Sequence, residues 1–206
     1  TGTARSTPIG AAGGHVSRNL IVGSDEHAFV TRVVADANGS YRGELVELDH
    51  TLTELAAHPL ADYPGTEKPA SHHGIVAAAY LADDRLVFTT HSGQLYLILP
   101  TPGSAATVKA LGWFHPDGAA YAPSLFAFSG ETLAAGVAKR DKGEFEWVVH
   151  NIETGLSGAF ALDTGELPKL LLYGSITRDD LGRFYVGGWS DNRPVVLQID
   201  AGNCAR

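Results

Sequence analysis

The chain has 206 residues, of which 44% are hydrophobic and 18% are charged, a composition that can bury a core and is unlike that of a disordered protein. Its formal net charge of -8 disfavours nucleic-acid binding, because a nucleic-acid binder normally presents a basic face. Its apolar runs are much shorter than the roughly 20 residues of a membrane-spanning helix. We therefore expect neither a nucleic-acid partner nor a membrane segment.

A single cysteine, Cys204, excludes an internal disulfide and says little about the cellular compartment. The sequence opens at Thr1 and has no methionine, so we expect that its start was removed by processing, by proteolysis or by the choice of a fragment. Removal of a leader would fit export, and we expect a secreted or periplasmic protein.

In chain order, the first unit of predicted structure opens at His15 as a strand, a turn over residues 23–26 and a second strand. A third strand is predicted over residues 41–49, where apolar and polar residues alternate. Residues 52–60 form a fourth strand or a helical turn, and Pro59 would keep such a helix short.

Three further units repeat this order of short strands joined by acidic or glycine-containing turns, a pattern typical of antiparallel sheets. The second unit opens at His73, with strands over residues 75–81, 86–90, 94–99 and 107–114. The third unit opens at Tyr121, with strands over residues 124–128, 133–138, 145–152 and 158–162. The fourth unit opens at Tyr173, with strands over residues 175–178, 184–188 and 194–200.

These openings recur about every 50 residues with about four strands per unit, which is typical of the blades of a β-propeller. We therefore predict that the chain is all-β and that residues 1–206 form one propeller domain or one segment of a propeller. The alternative is a β-sandwich, which also has short strands at regular intervals.

About three and a half units fit into the chain, whereas propellers have four to eight blades. Either residues 1–14, which are small and polar, supply the missing outer strand and close a four-bladed ring, or the chain is part of a larger propeller. We favour the larger propeller, completed by another chain or segment, because an open arc would leave sheet edges exposed.

In an antiparallel hairpin the start of the first strand lies beside the end of the second strand. These positions are therefore expected to meet at one rim, and here they carry cationic and aromatic residues in place of the usual turn residues. The residues that we predict to bind substrate at this rim are His15, Arg18, Arg32, Lys139, Tyr173 and Trp189.

Such a rim suits the β-elimination of a polysaccharide that contains uronic acid. An arginine or lysine neutralises the uronate carboxylate, and a histidine or tyrosine removes the neighbouring proton and protonates the leaving oxygen. Tryptophan and tyrosine offer flat faces on which sugar rings stack. The predicted partner is therefore an acidic polysaccharide or oligosaccharide.

Two stretches, SHHGIVAAAYLADDRLVFTTHSGQLYLI and YAPSLFAFSGETLAAGVAKRDKGEFEWVVHNIET, resemble the BNR-type β-propeller polysaccharide lyases, notably the ulvan lyases. The resemblance covers residues 71–155. It implies that His73 and His91 flank the cleaved bond, that Tyr121 acts as acid or base, and that Arg140 neutralises the uronate.

Two other functional classes remain as alternatives. The first is a propeller without catalytic activity that serves as a binding or assembly module. The second is a propeller hydrolase or lactonase with a central metal, which needs acidic or asparagine ligands where these strands begin with histidine and tyrosine.

The remaining histidines and the two aspartate pairs are predicted to have no catalytic or metal-binding role. A zinc site of His72, His73 and His91 lacks a fourth ligand, and we predict neither a metal nor a cofactor. The pairs Asp83–Asp84 and Asp179–Asp180 recur at the same position of their units and are predicted to be turn residues. Three scattered histidines are expected to be solvated: His15, His115 and His150.

Overall fold

The structure is a computed structural model of the chain. It describes residues 15–23, 27–35, 41–60, 74–81, 84–101, 103–122, 124–127, 133–139, 144–162, 167 and 170–199. For residues 15–19, 35, 41 and 173–175 only the backbone is described.

Every regular element in these ranges is a β-strand, so the prediction of an all-β chain is confirmed. The first sheet contains β1 His15–Val22, β2 Ala28–Ala35, β3 Tyr41–Leu48 and β4 Glu54–Pro59. The second contains β5 Ile75–Tyr80, β6 Leu86–Thr90, β7 Gln94–Thr101 and β8 Ser104–Trp113. The third contains β9 Phe126–Ala127, β10 Leu133–Lys139, β11 Phe145–Asn151 and β12 Ser157–Ala161. The fourth contains β13 Leu171–Arg178, β14 Phe184–Ser190 and β15 Arg193–Ile199.

Each sheet is an antiparallel meander in which strands that follow each other in sequence are neighbours in space. The first strands of successive sheets contact one another, β1 with β5, β5 with β9 and β9 with β13, and β4 contacts β8. The four sheets therefore follow one another in chain order with their first strands on the same side. This arrangement is consistent with packed blades and with a β-sandwich.

The two middle sheets are covered on both faces. In β6, Leu86 and Phe88 pack with Leu45 of the first sheet, whereas Val87 packs with Val148 of the third sheet. Because successive side chains of a strand point to opposite faces, all five residues of β6 are buried. Each such aliphatic or aromatic side chain contributes about 1.5–3 kcal/mol on full burial.

Most predicted strands are present, with ends that differ by a few residues. Residues 54–59 form a strand and not a helical turn, with Pro59 at its end on the outermost strand of the first sheet. The fourth sheet begins at Leu171 and not at Tyr173, because Leu172 already packs into the core between the third and fourth sheets. The proposed role of residues 1–14 as an outer strand lies outside the described residues.

A buried carboxylate links the first two sheets. Glu47 on β3 is 0% exposed and accepts a hydrogen bond from the backbone N of Ala106 on β8 at 2.9 Å. His27 Nδ1 lies 2.7 Å and His58 Nε2 3.2 Å from its two carboxylate oxygens. The charge is therefore buried together with hydrogen-bonding partners, as a buried carboxylate requires.

Candidate functional site at one end of the sheets

The same end of each sheet brings the first strand against the second, as the sequence predicts, but in the fourth sheet Trp189 pairs with Leu171 and not with the expected Tyr173. In the second sheet this contact is a hydrogen bond of 2.9 Å from the backbone N of His91 to the carbonyl of Gly74. In the other three sheets it is made by backbone pairs, which are His15 with Val33, Tyr121 with Lys139, and Leu171 with Trp189.

Two predicted site residues from different sheets lie against each other. The ring centroids of His91 and Tyr121 are 4.8 Å apart, and the ring planes are inclined by 46°. His91 is exposed, whereas Tyr121 is half-buried. We call these two side chains the rim pair. An imidazole and a phenol side by side at a solvent-accessible place provide two groups that exchange protons.

The rim pair exists because a tight turn supports the chain that crosses to the third sheet. Gly93 has a φ of 86°, and its carbonyl accepts a hydrogen bond from the N of Phe114 at 2.9 Å. A Cβ at Gly93 would lie 2.0 Å from the carbonyl oxygen of Ala120, so only glycine allows this approach. Residues 114–121, the crossing segment, therefore lie directly on the turn that carries His91.

Buried hydrogen bonds lie next to the rim pair in the chain. The hydroxyl of Thr89 donates to the carbonyl of Ala122 at 3.3 Å, and both residues are buried. The hydroxyls of Thr90 and Ser92 are 2.9 Å apart and also buried. The neighbours of Tyr121 are thus both held against the second sheet, Ala120 by its close approach to Gly93 and Ala122 by the hydrogen bond from Thr89.

Lys139 joins this site through its backbone. Its N donates a hydrogen bond of 2.7 Å to the carbonyl of Tyr121. Its ammonium lies 5.7 Å from the ring centroid of Phe145, within the range of a cation–π interaction. The backbone of Lys139 therefore adjoins that of Tyr121, and its ammonium lies over the ring of Phe145.

Arg32 forms ion pairs with two glutamates of the first sheet. Its guanidinium donates to Glu44 at 2.9 Å and to Glu54 at 2.7 Å. The hydrogen bond to Glu54 is the largest contribution that raises the pKa of Arg32. An acidic substrate at this position would therefore compete with two carboxylates that Arg32 already binds.

Trp189 lies at the corresponding end of the fourth sheet. Its side chain is 49% exposed, and that of its cross-strand partner Leu171 is 40% exposed. Together they form an apolar surface beside the rim positions of the sheet.

The structure describes the remaining predicted site residues in their backbone only, or not at all. His15 and Arg18 lie on β1 and Tyr173 lies on β13, but their side chains are outside the described part of the chain. His73 and Arg140 lie outside it altogether. In the described ranges, no group of three His, Cys, Asp or Glu residues has an arrangement suited to holding a metal ion.

The expectation that His115 and His150 are solvated is wrong, since they are 2% and 1% exposed. His115 Nδ1 accepts a hydrogen bond from the N of Asp117 at 3.1 Å, so its Nε2 carries the proton and donates to Glu146 at 2.7 Å. Both histidines pack between the second and third sheets. The local sequence does not show that these two sheets lie against each other, so it does not predict that the histidines are buried.

The prediction that Asp179 is a turn residue is confirmed. Its Oδ1 accepts hydrogen bonds from the N of Leu181 at 3.0 Å and the N of Arg183 at 2.9 Å. Its Oδ2 accepts from Arg183 Nε at 2.7 Å and from the hydroxyl of Tyr185 at 2.9 Å. Desolvation acts to raise the pKa of Asp179, but these hydrogen bonds outweigh it and lower the pKa to about 2.

The described part of the chain contains no helix that is long and apolar enough to cross a membrane.

No protein-family model and no curated protein matches the sequence. Among solved structures, the chain is similar to a protein of unknown function from Bacteroides caccae, with 14% identity over 93% of this chain and 65% of that one and a TM-score of 0.46. It is also similar to the extracellular domain of a candidate hybrid two-component system from B. thetaiotaomicron, with 10% identity, 91% and 28% coverage and a TM-score of 0.42. A puromycin hydrolase gives 13% identity, 84% and 33% coverage and a TM-score of 0.27. The chain spans less than two thirds of the length of each of these proteins.

Proposed function

We propose that the chain is a segment of a β-propeller that binds an acidic polysaccharide at the rim pair and cleaves it by β-elimination at a uronic acid. The propeller part is supported by antiparallel meanders that follow one another in chain order with their first strands in contact. Another chain or segment completes the ring. The proposal includes a secreted or periplasmic location, where such polymers occur.

The single observation that carries the lyase proposal is the distance of 4.8 Å between the ring centroids of His91 and Tyr121. In the elimination, one of these groups removes the proton on the carbon that bears the carboxylate. The electron pair forms a carbon–carbon double bond as the glycosidic carbon–oxygen bond breaks. The other group protonates the leaving oxygen, so the step needs no oxidant and no cofactor.

Neutralising the charge of the uronate carboxylate makes the proton on the neighbouring carbon more acidic. A cation near the uronate stabilises the charge that develops during proton removal. Lys139, whose backbone pairs with Tyr121, is one candidate, and Arg140 is the candidate that the sequence resemblance implies. His73 precedes Gly74, whose carbonyl binds the N of His91, which supports its candidacy as a second histidine at the bond.

The second candidate function is carbohydrate binding without cleavage. It is favoured by the exposed side chain of Trp189, which offers a stacking surface for a sugar ring and has no group that would transfer a proton at neutral pH. A binding module needs such a surface but does not need the rim pair.

The test is incubation with a set of uronate polysaccharides while the ultraviolet absorbance of the unsaturated product is followed. We expect product with the wild type, and a loss of about 10²-fold or more in rate for Tyr121→Phe and for His91→Ala. His50→Ala is the control, because His50 is an exposed histidine on the turn between β3 and β4, at the opposite end of the first sheet.

Affinity electrophoresis in gels that contain the same polymers separates the two candidates. Retention without product, reduced in Trp189→Ala, would replace the lyase proposal by the binding module. Neither product nor retention with any uronate polymer would reject both functions.

A further inference from the structure

One buried histidine lies in the core with unsatisfied ring nitrogens. His150 lies on β11 between Ala134 of β10 and Ser157 of β12 and is 1% exposed. In the described chain neither of its ring nitrogens has a hydrogen-bond partner. A buried polar group without a partner costs about 1–3 kcal/mol, so this histidine is an unfavourable choice for the stability of the core.

The surroundings of His150 are apolar. It lies on the same face of β11 as Val148, which packs in the core between the second and third sheets. The ring centroid of Phe114, a residue of the crossing segment, is 6.4 Å away. A neutral imidazole is tolerated in such a place at a modest cost, whereas a charged imidazolium is strongly disfavoured.

The charged and titratable groups that face this core do not compensate a charge on His150. Glu146 is on the same face of β11 but four residues along the strand, roughly 13 Å away, and it binds His115. The crossing segment adds Asp117 and β8 adds Lys109, which is paired across the ladder with Leu97, but both residues are exposed and lie outside the buried core. On the paired strands β10 and β12, the positions that face the same core are alanine, glycine and serine.

Burial lowers the pKa of the His150 imidazole. The unfolded chain therefore binds this proton more readily than the folded chain does. Below the ordinary histidine pKa of about 6.5, the free energy of unfolding then decreases as the pH falls toward the lowered pKa of the folded state. Above that ordinary value His150 is neutral in both states and the stability does not depend on it.

We propose that His150 is an acid-sensitive switch in the joint between the second and third sheets. Uptake of a proton by its ring loosens this joint and displaces Phe114, and with it the crossing segment that holds Tyr121 against His91. The path is short, because the N of Phe114 donates to the carbonyl of Gly93 in the turn that carries His91. The switch goes beyond the proposed function, since it opens the joint whatever chemistry occurs at the rim.

The test compares thermal unfolding at about pH 7.5 and about pH 5.5 for the wild type, His150→Leu and the control His50→Leu. We expect the decrease in melting temperature on acidification to be about 2–4 °C smaller in His150→Leu than in the wild type. His50→Leu removes an exposed histidine on the β3–β4 turn and should behave as the wild type. Equal decreases in His150→Leu and in the wild type would overturn the proposal.

A second measurement on the wild type holds even if His150→Leu does not fold. Amide hydrogen exchange is followed by NMR at both pH values, together with the titration of the His150 ring protons. We expect the protection of amides from exchange, relative to their intrinsic rate at each pH, to fall more in acid for β10 and β11 than for β2 and β3, whose joint with the second sheet includes Glu47. A His150 ring that titrates at the ordinary pKa, with unchanged protection of β10 and β11, would contradict the switch.

Discussion

At the scale of single residues, the charge of Asp179 stabilises the hairpin between β13 and β14. The pKa of Asp179 is about 2 in the folded protein, below its usual value, because Arg183, Leu181 and Tyr185 donate hydrogen bonds to it. A carboxylate with a lowered pKa adds stability that is fully present above the unfolded value of about 3.9. That stability disappears as the pH falls through about 2.

We therefore expect Asp179→Asn to lower the stability at neutral pH and to flatten the dependence of the urea midpoint on pH between about 4 and 2. The matched control is Asp180→Asn, since Asp180 is the exposed neighbour in the same turn. Equal pH profiles for Asp179→Asn and the wild type would show that this carboxylate does not stabilise the turn.

Residues such as Asp179 are predictable from sequence because their partners lie within a few positions. The hydrogen bonds of Asp179 all come from residues no more than six positions away. His150 is the opposite case, because its burial depends on Phe114 and on a sheet that is distant in sequence. The local sequence predicts a solvent-exposed His150, but packing against the distant second sheet buries it, and no local pattern indicates that packing.

At the scale of elements, the crossing segment and the turn at Gly93 decide whether the rim pair forms. The alternation of apolar residues and the turn signals predict the strands well, as for β6 and β11. They do not predict that Gly93 supports Ala120, which follows from a close approach of two backbones. The short β9 has a similar origin, because Ser124 lies close to Gly136 and its Oγ accepts a hydrogen bond from the N of Val137 at 3.3 Å.

Gly93→Ala is expected to separate Tyr121 from His91, because its new methyl group would meet the carbonyl of Ala120 at 2.0 Å. The matched control is Gly155→Ala, since Gly155 also has a positive φ, of 71°, but nothing lies within 4 Å of its Cβ position. Both variants incur about 1–2 kcal/mol of backbone strain.

Only Gly93→Ala should add a displacement of the crossing segment. We expect it to lose about 3 kcal/mol or more of unfolding free energy in urea, against about 1–2 kcal/mol for Gly155→Ala. In NMR spectra, the ring-current shift between His91 and Tyr121 should disappear in Gly93→Ala and persist in Gly155→Ala. Equal losses in the two variants would mean that the close approach does not position the rim pair.

At the scale of the whole molecule, the net charge of -8 opposes the binding of an acidic polymer that the rim is proposed to attract. The two effects have different ranges. The repulsion between net charges acts over many ångströms and is screened when the Debye length falls from about 30 Å at 0.01 M salt to about 10 Å at 0.1 M. The proposed contacts between a cation and a substrate carboxylate at the rim would act over a few ångströms and would be screened less.

The affinity for a uronate oligosaccharide should therefore rise as salt increases from about 0.01 M to about 0.1 M, and decline at about 1 M, where the Debye length is about 3 Å. Titration calorimetry at a series of salt concentrations measures this curve, with a neutral oligosaccharide of equal length as the control. A protein that binds polyanions through a broad basic surface shows instead a steady decrease of affinity from the lowest salt. A steady decrease of affinity for this protein would contradict binding at the rim. It would indicate that the polymer binds to a broad basic surface instead.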